Sequence, residues 1–472
     1  MDPTHLVFNG IHGSTGGYLA PPMKLGALVD ALRRRPRRGG AGGRAAAYGD
    51  PDDLAQVGWG VIFPRDADPA VAEALAPLLD LRRAQAAAEN ERRFRVFAGE
   101  NGLLPGESKG DFLYRQAGIG PGLVEPDRVP YYLLLVGGPD EIPYEFQYQL
   151  DLQYAVGRLA FDAPWEYAQY ADTVVAAEAG RVRRPRRAAI LATRNPDDDA
   201  TALASEHLAA PLGAGLAARA GDGWEVSVTV GEGAGKAGFA RHLGGEATPA
   251  LLFTAGHGLG WDAGDPCQRS FQGALVCQDW PGPKASGPVA RDHYFAAGDL
   301  ATGADVAGLI AFFFACYGAG TPALDDFDRA VEGRSRPIAP APLVARLPQR
   351  LLAHPRGGAL AVVGHVERAW TYSFLWGRTA QIGLFERTLR ELLGGRRIGA
   401  AMELFAHRLG EMGAELIAAF ERLEHGEAVS DDELLRLWNA HHDARNYVVL
   451  GDPAVRVAVG EGGATDGGPV GG

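Results

Sequence analysis

Short, continuous runs of apolar residues alternate along the chain with segments in which apolar and charged positions recur at helical spacing. The apolar runs are bounded by turn residues, which is typical of strands buried in a parallel sheet. They predict strands at residues 129–137, 151–159, 188–193, 224–230, 250–255, 308–315, 358–364 and 447–450. Helical spacing predicts helices at residues 70–91, 163–177, 200–210 (stopped by Pro211), 236–243, 343–354, 379–393 and 398–423. The alternation predicts an α/β fold: a doubly wound, mostly parallel sheet with helices on both faces.

A basic, proline-containing stretch at residues 181–187 divides this pattern. We place a domain boundary there, because such stretches are typical of solvated linkers. Residues 1–185 then form an N-terminal accessory α/β region, and residues 186–459 form a second domain. The Arg-, Pro- and Gly-rich segment 34–46 and the Gly-rich tail 460–472 are predicted to be disordered.

Composition narrows the classes of function. The formal net charge of −12 repels phosphate backbones and argues against a nucleic-acid partner. The first residues lack the pattern of a secretion signal, and no apolar stretch of about 18 residues predicts a membrane span. The three cysteines are a sparse, odd number, which favours a reducing compartment. We therefore expect a cytoplasmic protein without a membrane partner.

No residue pattern predicts a metal or nucleotide site. Cys267 and Cys277 lack the spacing of a zinc site, and the adjacent His441 and His442 would point about 100° apart on a helix. A stretch at residues 230–237 superficially resembles a phosphate-binding loop, but it lacks that loop's first glycine and its Ser/Thr. No cofactor is expected, although a structural calcium ion is left open.

Two of the predicted strands end on residues that can carry out chemistry. His257 follows the apolar run 250–255, and Cys316 follows the run 308–315. Ligands of parallel sheets bind beyond the carboxyl ends of the strands, so the two side chains would face one cleft if these strands are neighbours. His257 would accept the thiol proton of Cys316, and the backbone N–H groups of Gly258 and Cys316 would stabilise an oxyanion. The alternative is that both side chains are structural.

Several motifs resemble those of the caspase-like clan of cysteine peptidases and, within it, the gingipain-like family. These motifs are residues 132–137 with 142–143, then 154–158, 254–258, 315–316 and 450–453. The resemblance implies a caspase-like catalytic domain over residues 186–459 and cysteine endopeptidase activity through a His257–Cys316 dyad. Residues 1–128 have no counterpart. Since gingipains are secreted and this chain shows no secretion signal, we expect a regulated intracellular role in a bacterium, such as defence or programmed cell death.

The resemblance also indicates which loop lines the S1 pocket, which receives the substrate residue before the cleaved bond (P1). That loop is residues 193–200. Asp198 or Asp199 would pair there with an Arg or Lys of the substrate, and we expect cleavage after such a basic residue. Arg194 would instead favour an acidic residue. The alternative for the two aspartates is that they cap the following helix.

In the loop that follows the strand 358–364, two residues would line the same pocket. Trp370 could stack on a guanidinium or an aliphatic stem, and Glu367 could add negative charge. The alternatives are that Trp370 packs in the core and that Glu367 pairs with Arg368 or another residue at the surface.

Other classes of function stay open at this stage. A catalytically silent interaction or scaffold module with the same fold is the main rival, and a nucleotide-binding protein is a weaker one. The expected partner is a protein or peptide substrate, and a partner protein for activation is left open. The Gly- and Pro-rich segment 261–300 would suit a lid or a self-cleavage site. His12, in a turn-rich stretch, has no identifiable partner.

Overall fold

The computed structural model describes residues 9–19, 49–120, 122–219, 221, 223–285, 287–327 and 336–460. The predicted disordered segment 34–46 and residues 461–472 of the predicted tail lie outside the described residues. In chain order the strands are β1 (Gly10–His12), β2 (Trp59–Ile62), β3 (Phe94–Phe97), β4 (Tyr132–Val136), β5 (Ala155–Leu159), β6 (Arg187–Ala192), β7 (Glu225–Val230), β8 (Leu251–Ala255), β9 (Gly258–Gly260), β10 (Leu275–Val276), β11 (Tyr294–Phe295), β12 (Ile310–Phe314), β13 (Gly320–Thr321), β14 (Leu343–Val344), β15 (Ala361–His365), β16 (Leu375–Trp376), β17 (Thr379–Ala380) and β18 (Tyr447–Gly451).

Ten of these strands form one central sheet in the order β3-β2-β4-β5-β18-β15-β12-β8-β6-β7. Strand β18 pairs parallel with β5 and antiparallel with β15, whereas the other neighbours in the sheet are parallel. The sheet therefore consists of two parallel blocks that run in opposite directions. The structure confirms the expected α/β class with a large, mostly parallel sheet.

The helices are α1 (Leu54–Val57), α2 (Pro69–Ala74), α3 (Ala76–Ala86), α4 (Lys109–Ala117), α5 (Tyr144–Asp151), α6 (Pro164–Glu178), α7 (Asp199–Ala204), α8 (Ala210–Arg219), α9 (Lys236–His242), α10 (Gln268–Phe271), α11 (Arg346–Leu352), α12 (Gly383–Leu393), α13 (Ile398–Ala401), α14 (Glu403–Glu424) and α15 (Asp431–Arg445). A π-helical turn, Ser205–Ala209, joins α7 to α8.

Some helix predictions are wrong in their bounds. Pro211 does not stop a helix, because the helix runs on without a break from α7 through the π-helical turn into α8, of which Pro211 is the second residue. The helix predicted for 379–393 begins only at Gly383, since the preceding residues form the β16–β17 hairpin. The helix predicted for 398–423 is interrupted at Met402.

The predicted linker at residues 181–187 is only partly solvated. The guanidinium of Arg184 is buried and donates hydrogen bonds to Thr248 O and to the backbone and carboxylate of Asp305. The backbone N–H of Arg184 also donates to Ala458 O at 2.7 Å. This stretch is therefore anchored to the sheet, because buried arginine needs partners for its donors.

The residue after the closing strand is fixed to the first block by buried hydrogen bonds. Asp452, directly after β18, is buried and accepts hydrogen bonds from Trp59 Nε1 at 2.9 Å and from Arg82 Nε at 2.7 Å. Its backbone N–H donates to the hydroxyl of Tyr170 on α6 at 2.6 Å. One carboxylate thus joins strand β2, helix α3 and the last strand across nearly the whole length of the chain.

A second, four-stranded sheet has the order β1-β9-β10-β11. Strand β1 lies parallel to β9, with Gly10 opposite Gly258 and His12 opposite Gly260. Because β9 starts three residues after β8 ends, this small sheet sits at the carboxyl end of the second block.

Candidate active site

Strands β8 and β12 are neighbours in the sheet, which is the condition under which His257 and Cys316 can share one cleft. Ala255, the last residue of β8, pairs with Phe314, the last residue of β12. His257 and Cys316 each follow two residues later, so both leave the sheet at the same level and the same edge. Both residues are fully buried. The structure therefore brings together the two residues that the strand ends indicated.

The imidazole of His257 is held by a buried carboxylate. Its Nε2 lies 2.7 Å from Oδ2 of Asp198. The same Oδ2 accepts a hydrogen bond from the hydroxyl of Thr201 (2.5 Å), and Oδ1 accepts one from the hydroxyl of Tyr18 (2.6 Å). Burial by itself raises the pKa of Asp198, but the charge and hydrogen bond of His257 and the two hydroxyl donors outweigh burial and hold this pKa well below its usual range. Asp198 is therefore ionised, and because a carboxylate only accepts hydrogen bonds, it fixes an N–H of the imidazole at Nε2.

The other ring nitrogen of His257 is available for proton transfer. With the proton on Nε2, Nδ1 is an acceptor. It is buried, and no described residue forms a hydrogen bond with it. An unpaired buried acceptor is uncommon and costly, so it calls for an explanation in terms of function. A nitrogen that takes a proton from a thiol and gives it to a leaving amine provides one.

Cys316 is held against the loop that follows β15. Its Sγ accepts a hydrogen bond from the backbone N–H of Ala369 at 3.2 Å. Burial raises the pKa of the thiol well above its usual range. In this state the sulfur is a neutral thiol, and it needs a nearby base to become a nucleophile.

Gly258 is required for the close approach of the two strand ends. A Cβ built on Gly258 would lie 1.8 Å from the carbonyl oxygen of Cys316. No side chain fits at that distance, so the backbone of Gly258 can run next to that of Cys316 only as glycine.

The two backbone N–H groups expected to stabilise an oxyanion converge on one oxygen. The N–H groups of Gly258 and Cys316 both donate to the carbonyl oxygen of Asn9, each at 3.0 Å. The N–H of Asn9 in turn donates to Ala369 O at 3.0 Å. A peptide group of the chain's own N-terminal segment therefore lies between the donors.

Backbone strain is concentrated at this site. In the described part of the chain, three non-glycine residues have a positive φ: Asp197 (55°), Tyr317 (57°) and Glu367 (73°). They lie directly before Asp198, directly after Cys316 and in the loop that carries Ala369. Such conformations cost about 1–3 kcal/mol each and cluster at functional sites, where the surrounding structure imposes them.

The residues of the loop 193–200 that were expected in the S1 pocket make other contacts. Asp198 binds His257, so the expectation that it receives a basic substrate residue needs correction. Asp199 is exposed in the first turn of α7, which Asp198 caps through Thr201 N–H at 3.3 Å. Arg194 is exposed as well and pairs with Glu206 at 2.7 Å. The capping alternative therefore describes these aspartates better, because a helix N-terminus favours carboxylates.

Glu367 and Trp370 are both buried next to the site. Glu367 accepts hydrogen bonds from Arg368 and from the backbone N–H of Asp326, so it belongs to a buried charge cluster rather than to a surface pair. Burial and the neighbouring Asp325 raise the pKa of Glu367. The ring of Trp370 packs against Phe327 with centroids 5.2 Å apart, which matches the core-packing alternative.

The sequence pattern predicts neither the contribution of the N-terminal segment nor the contact of Asp198 with His257. In the turn-rich stretch around His12, the ring of His12 contacts Ser14 and lies 3.4 Å from Asp262. A three-residue strand between glycines is too short for periodicity to reveal.

The described ranges contain neither a metal-binding cluster nor a membrane-spanning helix. No group of three or more His, Cys, Asp or Glu residues there could hold a metal ion. No helix in the same part of the chain is long and apolar enough to cross a bilayer.

No protein-family model matches the chain, and no curated protein matches it. Solved structures do match. A protein described as a protease has 14% identity and a TM-score of 0.46 over 87% of this chain and 79% of its own. The complex of the pro- and mature domains of Porphyromonas gingivalis RgpB has 14% identity and a TM-score of 0.43 over 85% of this chain and 79% of its own. The Arg-specific cysteine proteinase gingipain R (RgpB) has 13% identity and a TM-score of 0.43 over 85% and 78%. Likenesses this distant leave the activity to be decided by the site itself.

Proposed function

We propose that this chain is a cysteine endopeptidase in which Cys316 is the nucleophile, His257 the general acid and base, and Asp198 the residue that orients His257. One observation carries the proposal. The N–H groups of Gly258 and Cys316 donate to the same peptide carbonyl oxygen, each at 3.0 Å. Two donors on one carbonyl, next to a thiol, form the arrangement that acyl transfer to sulfur requires.

The proposed reaction begins with proton transfer from Sγ of Cys316 to Nδ1 of His257. The thiolate attacks the carbonyl carbon, and the two N–H groups stabilise the charge that develops on the oxygen. His257 then donates its proton to the leaving amine, which leaves a thioester on Cys316 that water hydrolyses. The ionised Asp198 stabilises the imidazolium at each proton transfer, since their atoms are 2.7 Å apart in a buried site.

The geometry does not support the expected preference for Arg or Lys. That preference depended on Asp198 or Asp199, and Asp198 is already bonded to His257 while Asp199 is exposed. Each of the three buried acids near the end of β15 already contacts an arginine: Arg368 contacts Asp325 and Glu367, and Arg445 contacts Asp326. We therefore propose that the P1 residue is uncharged.

A catalytically silent scaffold remains the second candidate function, and one observation favours it. Cys316 and His257 have no exposed surface, and residues 9–19 lie against both: Asn9 O accepts from Cys316 N–H, and the ring of Tyr18 meets that of His257. A module that no longer turned over substrate could keep its cleft filled in this way. The two candidates differ in whether Cys316 reacts once the segment is displaced.

The test compares wild type with Gly10→Val, a change that should displace the segment. A Cβ on Gly10 would lie 2.4 Å from Leu19 Cδ1 and 2.9 Å from Sγ of Cys316. Both proteins are treated with peptidyl acyloxymethyl ketones and with a peptide library varied at P1. We expect labelling of Cys316 and hydrolysis, both lost in Cys316→Ala and kept in the matched control Cys267→Ala. No labelling and no hydrolysis by either protein would leave the scaffold as the better interpretation.

We also propose that the protein acts inside a bacterial cell, in a regulated pathway such as defence or programmed cell death. All three cysteines are free thiols, which suits a reducing compartment. Fractionation of the native host, followed by detection of the protein in each fraction, tests the location.

A further inference from the structure

The N-terminal segment enters the candidate site as a substrate would. It forms a small hairpin in which Ile11 pairs with Tyr18, and β1 lies parallel to β9 at the edge of the cleft. The main-chain groups of Asn9 are fully used: its N–H donates to Ala369 O, and its carbonyl oxygen accepts from both oxyanion donors. The returning arm brings the hydroxyl of Tyr18 to Oδ1 of Asp198 at 2.6 Å.

The bond between Asn9 and Gly10 is the one placed next to the nucleophile. A Cβ built on Gly10 would lie 2.9 Å from Sγ and 3.1 Å from Cβ of Cys316, so the backbone of Gly10 runs directly beside the thiol. The carbonyl on the other side of the bond is the one bound by both donors. An attacking sulfur and an activated carbonyl therefore meet at a single peptide bond.

The surroundings of the Asn9 side chain define the pocket for the residue on the acyl side of that bond. It is fully buried, and none of the described residues forms a hydrogen bond with its Oδ1 or Nδ2. The pocket therefore encloses a small, uncharged side chain while leaving its amide unsatisfied. Main-chain contacts hold Asn9, and the side chain adds little to the affinity of the docked segment.

We propose that the chain cleaves its own Asn9–Gly10 bond. The proposal rests on the proposed peptidase function. The thiol proton of Cys316 passes to Nδ1 of His257, and Sγ forms a bond to the carbonyl carbon of Asn9. The C–N bond then breaks, and the proton on His257 moves to the nitrogen of Gly10, which becomes a new amino terminus. Water hydrolyses the thioester, releases Asn9 with a carboxylate and restores the thiol.

Cleavage would also open the cleft. The new terminus at Gly10 is an ammonium group next to a fully buried thiol. Burial of a charge in such a place is costly, so the hairpin that begins at Gly10 is expelled. The uncut chain is thereby the closed form, and self-cleavage is the step that admits other substrates.

Intact-mass measurement and N-terminal sequencing of the full chain test the proposal. We expect wild type to lose every residue before Gly10, at a first-order rate that stays the same when the protein is diluted about 100-fold, because the bond is cut within its own chain. Cys316→Ala should stay uncut, at least about 10³-fold slower. This variant also controls for spontaneous Asn-Gly chemistry, which does not need the thiol.

Two substitutions on the segment sharpen the test. Gly10→Val should prevent self-cleavage because it displaces the bond, whereas Gly17→Ala should leave it unchanged, since a Cβ at Gly17 meets nothing closer than 3.7 Å. Cleavage that persists in Cys316→Ala overturns the proposal.

A wild-type chain that stays intact, while Gly10→Val hydrolyses library peptides, also overturns self-cleavage but leaves the peptidase function standing. The absence of both self-cleavage and peptide hydrolysis in all variants refutes the two together. The readouts therefore separate failure of this inference from failure of the function on which it rests.

Discussion

Two buried histidine–aspartate pairs flank strand β12, one on each side. Beyond β8, Nε2 of His257 lies 2.7 Å from Asp198. At the end of β15, Nε2 of His365 lies 2.9 Å from the backbone oxygen and 3.3 Å from the carboxylate of Asp443. Both rings are fully buried, and within the described residues neither Nδ1 has a hydrogen-bond partner. By composition and burial the two pairs are nearly the same.

Their positions along the strands separate them. His365 is still part of the sheet, opposite Tyr447, and lies one residue beyond the Phe313–Gly364 pair. It is therefore two residues, about 6.6 Å, below the level of Cys316. Its ring meets the Tyr447 ring edge-on at 4.8 Å. His257 has left the sheet and precedes Gly258, one of the oxyanion donors.

The two aspartates also serve different partners. Asp443 accepts from the backbone N–H of Trp370 (2.9 Å) and the hydroxyl of Ser373 (2.6 Å), so it fixes the loop that presents Ala369 to the thiol. Asp198 acts on the ring of His257 itself. Composition and burial therefore do not decide the proposed role of a His–Asp pair. Its height relative to the strand end decides whether it lies beside Cys316 or supports the loop around Cys316.

The largest expected effect comes from exchanging the two histidines for glutamine. We expect His257→Gln to lower kcat/KM for library peptides by about 10⁴-fold, because no other base accepts the thiol proton. His365→Gln should change kcat/KM by less than about 10-fold, since this ring is below the reacting atoms. Steady-state hydrolysis by the purified variants measures both.

Folding must be checked before that comparison is used. Circular dichroism and thermal unfolding should show that both glutamine variants keep the native fold. Equal losses of activity in two folded variants would contradict the distinction between the pairs, and a larger loss in His365→Gln would reverse it.

A smaller effect is expected from the aspartates. Asp198→Asn should lower kcat by about 10²-fold and leave KM nearly unchanged, because it removes the charge that stabilises imidazolium without altering substrate contacts. Asp443→Asn should act mainly on KM, through the loop that holds the substrate backbone at Ala369. Full kinetic profiles separate the two, and an identical kcat loss in both variants would show that the aspartates have the same role.

Much of the fold could be predicted from the sequence, because buried parallel strands have a distinctive composition. The runs around Leu133, Leu252 and Phe312 each contain a central strand, whose ends lie within three residues of the predicted ones. Helix ends were predicted less well, since they depend on tertiary contacts. Pro211, for example, follows a π-helical turn that the local sequence pattern does not predict.

The candidate site was predictable only where chemistry coincides with a strand end. His257 and Cys316 met that condition. Asp198 was found as a residue but not in its role, because its contact with His257 joins positions 59 residues apart and depends on how α7 begins. The part played by Asn9 could not be predicted at all, since it arises from main-chain groups that every residue possesses.

The pH dependence of stability tests the charge of Asp198 in the first pair. The pKa of Asp198 is depressed in the folded protein, so its ionised form stabilises the fold fully above the unfolded pKa of about 3.9, and this contribution is lost as the pH falls toward the folded pKa. Asp198→Asn should therefore lower the free energy of unfolding by about 1–3 kcal/mol at neutral pH, and the difference from wild type should shrink below about pH 4. Urea unfolding at several pH values measures it, and a difference that grows in acid would contradict the assignment of Asp198 as the ionised partner.

The smallest expected effect concerns Tyr18, which contacts the first pair through Asp198. Its hydroxyl donates to Oδ1 of Asp198 at 2.6 Å, so Tyr18→Phe removes one hydrogen bond between the N-terminal hairpin and the site. A hydrogen bond to a charged group contributes about 1.5–3 kcal/mol, and water partly replaces it at this half-buried position, so we expect the docked hairpin to lose about 1 kcal/mol. In a Cys316→Ala background, which leaves the chain uncut, the hairpin amides of Tyr18→Phe should exchange with deuterium about fivefold faster, while amides of strand β15 next to His365 stay unchanged. Faster exchange at both places would mean that Tyr18 stabilises the whole sheet edge and not the first pair alone.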